Sequence, residues 1–154
     1  MKSATATILM LLLLPLASLE AKTVTTDIQK PLEPFEAIQL AAADPVNGVT
    51  GQFELTIRGS GSDRAHVYFN SERDYRDQRC LTLRMTRGNA VALIEALGLQ
   101  NRDELIGRRI RVEGTAKRER VDFTSGKRRT GLYYYQTHVY VDDPSKVRLV
   151  ETGS

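Results

Sequence analysis

From Gly51 onward, apolar residues recur at every second position, and that period decides what the chain can fold into. Phe53, Leu55 and Ile57 alternate with Gln52, Glu54, Thr56 and Arg58. Successive side chains of an extended chain point to opposite faces, so the pattern predicts a strand with one buried side. It returns in Ala65, Val67 and Phe69 against Arg64, His66, Tyr68 and Asn70, and in Leu81, Leu83 and Met85 against Cys80, Thr82 and Arg84. Gly59-Ser60-Gly61-Ser62 reads as a flexible turn between the first two strands. Residues 71–78, where acids and arginines interleave, read as a charged turn before the third.

The period then lengthens. Asn89 is placed to cap a helix carrying Val91, Leu93, Ile94 and Leu97, with Gly98 past its end. Asn101 and Glu104 form a second short cap, with one turn ending at Gly107. A fourth strand runs through Ile110, Val112, Gly114 and Ala116. A long basic loop, Glu119 to Gly131, leads to an aromatic fifth strand, Leu132 to Val141. Asp142-Asp143-Pro144 stops that strand, because proline donates nothing to a ladder. A short tail strand over Val147 to Val150 is a further expectation.

The resulting order, β-β-β-α-β-β, predicts a mainly β fold: a five-stranded Greek-key OB-type barrel with one helix between strands 3 and 4. A six-stranded sandwich is the alternative architecture. The run Gly107-Arg108-Arg109-Ile110-Arg111-Val112-Glu113-Gly114-Thr115 resembles the fourth strand of small exported bacterial OB-fold (oligonucleotide/oligosaccharide-binding) domains. So does the ending Thr137-His138-Val139-Tyr140-Val141-Asp142-Asp143-Pro144. The resemblance covers roughly residues 48–150 and implies a barrel with a ligand-binding surface, with no particular substrate. The organisation expected is a signal peptide at 1–21, a leader or arm at 22–46, the barrel at 47–150 and a C-terminal tail at 151–154.

The signal peptide is read from Lys2, the apolar run Ile8 to Leu14, Pro15, and the small-residue exit Ala17-Ser18-Leu19-Glu20-Ala21. That order is the secretory pattern, with cleavage expected after Ala21 and a secreted or periplasmic product. The run is too short for a bilayer, which needs about 20 apolar residues, so no transmembrane segment remains after removal. A buried core helix is the plainer alternative for these residues. Cys80 is the only cysteine, so no intramolecular disulfide forms. A partly buried small hydrophobe is its expected role, and pairing with another chain is the alternative.

Charge is unevenly spread. Residues 108–129 hold nine Lys or Arg against three acids, a net +6, while the rest of the chain after residue 21 sums to −3. A localised positive field favours polyanions, whereas a solvated charge run is the plain alternative. The OB resemblance implies a binding face on strands two and three, flanked by two loops. Alternation puts His66, Tyr68, Thr82 and Arg84 on that face, with Lys127, Arg128 and Arg129 in the second loop. On strand five, Tyr133 and Tyr135 with Val139 and Val141 are expected in the core, and Tyr134, His138 and Tyr140 outside it. The ligand-binding set is therefore His66, Tyr68, Arg84, Lys127, Arg128, Arg129 and Tyr134. Aromatic faces beside guanidinium groups are what single-strand nucleic-acid grooves use. Tyrosine and arginine are also ordinary occupants of exposed strand positions.

No catalytic or metal constellation emerges. His66 and His138 lie on different strands with no local carboxylate or cysteine partner, and Asp142 and Asp143 are explained by the turn before Pro144. The expected function is an exported non-enzymatic binding module, without cofactor, for a polyanion such as single-stranded nucleic acid or an acidic glycan. The alternative is an adaptor or assembly subunit that holds another envelope or secreted protein.

Overall fold

The computed structural model describes residues 30–151. Helix α1 (Pro34–Ala43) is followed by β1 (Val49–Thr56), β2 (Gly59–Ser62), β3 (His66–Asn70) and β4 (Leu81–Thr86). Then come α2 (Arg87–Ala96), a 3₁₀ turn at Arg102–Leu105, β5 (Arg109–Ser125), β6 (Arg128–Tyr140), a 3₁₀ turn at Pro144–Lys146, and β7 (Val147–Leu149). The signal peptide and its expected cleavage site lie outside the described residues. None of the described helices is long and apolar enough to cross a membrane.

The strands form one open sheet in the order β1-β5-β6-β4-β3-β2, with β7 added to β5. Neighbours are antiparallel except β4 and β6, which run parallel with Leu83 opposite Val139. Seven strands therefore replace the five expected, in a sheet with two ends. Gly59–Ser62 is a strand and not a turn: its backbone pairs with β3, Ser60 opposite Phe69 and Ser62 opposite Val67. Lacking bulky side chains, this segment shows no alternation in sequence; main-chain bonds to β3 hold it, and Ser60 Oγ donates to Asp103 Oδ1 at 2.8 Å. The tail expected at 147–150 pairs with β5 as β7. The terminal strands β1 and β2 are separated in the chain only by Ile57 and Arg58. Ile57 N–H donates to Arg108 O at 3.0 Å and Arg58 N–H to Asn70 O at 2.8 Å, so the chain changes pairing partner between these two residues.

Within the described part of the leader, Pro34–Ala43 forms a helix. Pro34 starts α1, and Glu33 and Glu36 cap it reciprocally, with Glu33 N–H donating to Glu36 Oε2 at 3.1 Å. Ala37 and Ala41, one turn apart, are fully buried, and their small side chains let the helix lie close on the sheet. Arg109 ties it down further. Its guanidinium bonds both Glu33 and Glu54, and Arg111 also donates to Glu54 at 2.6 and 2.8 Å. The two arginines hold the Glu54 carboxyl below its ordinary range despite the cost of desolvation.

Helix α2 begins earlier than expected. Thr86 is its cap, accepting from Asn89 N at 3.2 Å, while the Asn89 side chain donates to Asp142 O at 2.8 Å. The helix buries Ala90, Leu93 and Ile94 and leaves Val91 exposed. The expected core is otherwise met: Phe53, Leu55, Val67, Phe69, Leu81, Leu83, Leu93, Ile110 and Val112 share one cluster, with Leu97 packed at its edge.

The basic loop is the largest departure. Residues 119–131 form a β-hairpin, with β5 and β6 paired out to Ser125 opposite Arg128. Gly126 turns it with a φ of 62°, and no described non-glycine residue has positive φ. Only the first central residue is thus left-handed, as in a II′ hairpin turn. Alternation of Arg118, Arg120 and Asp122 with Glu119, Val121 and Phe123 supplies strand periodicity that the charge obscured.

Two side chains test the register. Leu83 is fully buried, so Leu83→Ala is expected to cost about 2–5 kcal/mol in urea unfolding. Thr82 faces away from the core but is 2% exposed, and its hydroxyl donates to Asn70 Oδ1 at 2.9 Å. Its removal leaves a buried acceptor unpaired, so Thr82→Ala is expected to cost about 1–3 kcal/mol. Val91→Ala, on the exposed side of α2, stays within about 0.5 kcal/mol. A Thr82→Ala variant as mild as Val91→Ala would contradict this placement.

Candidate functional site

Strand alternation places His66, Tyr68 and Asn70 of β3, Thr82 and Arg84 of β4, and Tyr134, Gln136, His138 and Tyr140 of β6 on the sheet face opposite the core. A cleft of about 530 Å³ lies over part of this face. Its floor includes Tyr68, Thr82 and His138, one wall is β2, and the other is Val121 and Tyr134 of the hairpin. Arg73 and Tyr75 reach in from the segment between β3 and β4.

Two hydrogen-bonded chains fix these side chains. In the first, Tyr68 OH donates to Asp63 Oδ2 at 2.7 Å, and Asp63 Oδ1 accepts from the backbone N–H groups of Ala65 and His66. These donors hold the Asp63 carboxyl well below its ordinary value. Burial and the neighbouring carboxylate push the Tyr68 phenol up to about 12, so it is a neutral donor at physiological pH. Arg84 lies 3.3 Å from His66 Nε2 and donates to Tyr140 OH at 3.0 Å, and Tyr140 OH donates onward to Glu119 Oε1 at 2.7 Å. The Arg84 guanidinium also sits 5.1 Å from the centre of the Tyr140 ring.

The second chain assigns a tautomer. Gln136 Nε2 donates to Tyr75 O at 2.5 Å, which turns its carbonyl oxygen to His138 Nε2 at 3.0 Å. His138 Nε2 must then carry the hydrogen, leaving Nδ1 as a bare acceptor. That Nδ1 is buried and has no hydrogen-bond partner among the described residues. Burial lowers the His138 pKa to about 4; Glu119 opposes the shift and Arg84 reinforces it. The ring therefore stays neutral, 6.0 Å from Tyr68 and 6.5 Å from Tyr140 between ring centres. The cleft thus offers aromatic faces and neutral hydrogen-bonding groups, with Arg73 as its lining cation.

His66, Tyr68, Arg84 and Tyr134 of the expected set share this face, the first three in direct or near contact. Lys127, Arg128 and Arg129 do not join them. Arg129 and His138 occupy opposite parts of the 13-residue β6, roughly 30 Å apart at about 3.3 Å per residue. Lys127 sits in the turn, and Arg129 pairs with Asp122 at 3.3 Å. Tyr133 and Tyr135, expected in the core, are 49% and 38% exposed. Their parity is that of Val139, but the hairpin runs past the end of the core, so the inward face there meets solvent. His138, expected outside, is only 7% exposed, because the cleft walls cover it. Gln136 and Tyr75 were not singled out in the sequence, although Gln136 shares the parity of Tyr134 and His138. Cys80 is 1% exposed, and burial raises its thiol pKa. Among the described residues, no group of three or more His, Cys, Asp or Glu is placed to hold a metal ion. Comparison with known protein-family models and with the curated proteins finds no match to this chain.

His138 makes stability depend on pH. Its folded value of about 4 lies below the ordinary 6.5, so the unfolded chain binds more protons between the two. The contribution is complete above pH 6.5 and is lost as pH falls toward 4, on the order of 3 kcal/mol in all. Urea unfolding at about pH 7 and about pH 5 should show the loss in the native protein and a smaller one in His138→Gln. Equal losses in both would contradict the buried neutral ring.

Proposed function

We propose that the protein is an exported, non-enzymatic binding module of the OB type, which takes units of an anionic polymer into the cleft between β2 and the hairpin. The OB reading is supported by β1 and β2, which serve as two halves of one bent strand around Ile57 and Arg58. It is also supported by the parallel β4–β6 pair and by α2, which follows β4 and precedes β5. Export rests on the order of residues 1–21.

The observation that carries the ligand reading is the composition of the cleft. Tyr68, Tyr75, Tyr134 and His138 present rings to one space, and Arg73 supplies charge. Flat or ring-bearing units, bases or sugars, stack on such walls. The polymer's remaining charges run along the hairpin toward Lys127, Arg128 and Arg129, so the trio acts as a distant electrostatic guide. Single-stranded nucleic acid and acidic glycans both have this chemistry. The neutral Tyr68 phenol and uncharged His138 fit recognition better than proton transfer at physiological pH.

The adaptor reading is favoured by one observation: α1 exposes Phe35 at 67% and Leu40 at 45%. Salt separates the two. Binding of mature protein to single-stranded DNA and to heparin fragments, titrated at several salt concentrations, should weaken steeply with salt. Tyr134→Ala should cost about 1–3 kcal/mol of affinity with little change in salt slope. Replacing Lys127, Arg128 and Arg129 with Gln should flatten the slope by up to about 0.7 per lost contact on a single strand. Absence of binding to either polymer would leave the adaptor reading in its place.

A further inference from the structure

The hairpin has a second face, turned away from the cleft, from which the proposed function draws only on Arg129. Arg118, Arg120 and Asp122 of β5 share it with Arg129, Tyr133 and Tyr135 of β6. Two of the arginines lean along the ribbon onto a tyrosine: Arg118 lies 3.8 Å from the centre of the Tyr135 ring and Arg120 4.1 Å from that of Tyr133. The two tyrosine rings meet edge to face at 5.6 Å. At the inner end, Arg118 and Tyr135 border a groove of about 310 Å³ that also includes the exposed Phe35 of α1. Three arginines face one acid here, and Asp122 contacts both Arg120 and Arg129.

We propose that this arginine–tyrosine ladder is a separate binding surface for single-stranded nucleic acid. The tyrosines are two residues apart on one strand, which is about 7 Å of rise. That step is close to the separation of consecutive nucleotides in an extended strand, so successive bases meet successive platforms. A guanidinium stacked on a tyrosine keeps its other flat side free, and bases stack on guanidinium planes as they do on rings. The same guanidinium donates in its plane to phosphate oxygens. Planar bases suit these flat pairs better than puckered sugars do, which favours nucleic acid over an acidic glycan. A duplex has no unstacked bases to offer.

The surface stands independently of the cleft, and the test keeps the two apart. A fluorescent oligothymidylate, an abasic strand of equal length and a heparin fragment are titrated against the mature protein. The same titrations are made with Tyr134→Ala, which disables the cleft, and with two ladder variants. Tyr133→Leu/Tyr135→Leu removes both platforms while keeping strand-compatible side chains, and Arg118→Gln/Arg120→Gln removes the charges. Urea midpoints confirm that each variant folds. The strand should still bind Tyr134→Ala, and the abasic strand should bind more weakly. The double-Leu variant should lose roughly 5- to 150-fold for each stacked base, with the salt slope kept. The double-Gln variant should lose about 1.4 from that slope, about 0.7 per contact. Loss of all strand binding in Tyr134→Ala alone would overturn the ladder and leave the cleft standing. Full binding in both ladder variants would also overturn it, as would equal affinity for strand, abasic strand and heparin. Loss in the ladder variants with none in Tyr134→Ala would support the ladder and count against the cleft.

Discussion

The backbone ladder between β5 and β6 is the interaction on which the rest of the structure hangs. The 17-residue β5 pairs with β1 and β7 along its first half and with β6 along its second, and β6 hands the sheet on to β4. Close approach is required where these pairings meet. At Gly114 an added Cβ would stand 2.8 Å from Tyr140 O and 3.0 Å from Val139 Cγ1, so a side chain there would push the two strands apart. The same strand anchors the leader, since Arg109 and Arg111 bring Glu54 and Glu33 to one place. A single long strand thereby sets the position of α1, the closing of the core and the projection of the hairpin.

The site follows from the strands' two-residue period. While β6 lies over the core, one parity, Val139, is buried by apolar neighbours and the other, Gln136 and His138, by polar ones. Past the end of the core the first parity becomes Tyr135 and Tyr133, each covered by an arginine. The second becomes Tyr134, which walls the cleft. The chemistry of the two faces differs accordingly. In the cleft, neutral hydrogen bonds running from Tyr75 through Gln136 fix His138 and the Asp63 carboxylate fixes Tyr68, whereas the far face is organised by cation–π contacts. Neutral groups in partial burial hold geometry at little electrostatic cost, because a buried unpaired charge would be expensive.

Much of this was legible in the sequence. Alternation gave the core faces of β1, β3, β4 and the first half of β5 correctly, since apolar side chains on one parity are a direct imprint of one-sided burial. The face carrying His66, Tyr68, Arg84 and Tyr134 was legible for the same reason. What escaped was information that side-chain polarity does not carry. Gly59–Ser62 pairs through its backbone and leaves no pattern. Residues 119–131 hide a strand period under charge, so turn residues and cations read as a loop. Tyr133 and Tyr135 carry the core parity, but parity is silent on where the core ends. Thr82 and His138 were placed on the outer face correctly, yet their burial comes from neighbours across the sheet and from the 71–80 segment.

The central claim is that ligand recognition is confined to the hairpin and to the face of β3, β4 and β6 beside it. Backbone amide shifts of the isotopically labelled protein, followed by NMR while a single-stranded oligonucleotide is added, test it most directly. The account predicts perturbations at β2, at Tyr68, Tyr75, Gln136 and His138, and along the hairpin from Arg118 to Tyr135, with β7 and α2 unchanged. Perturbations centred on α2, β7 or the outer side of α1, with the hairpin silent, would contradict it.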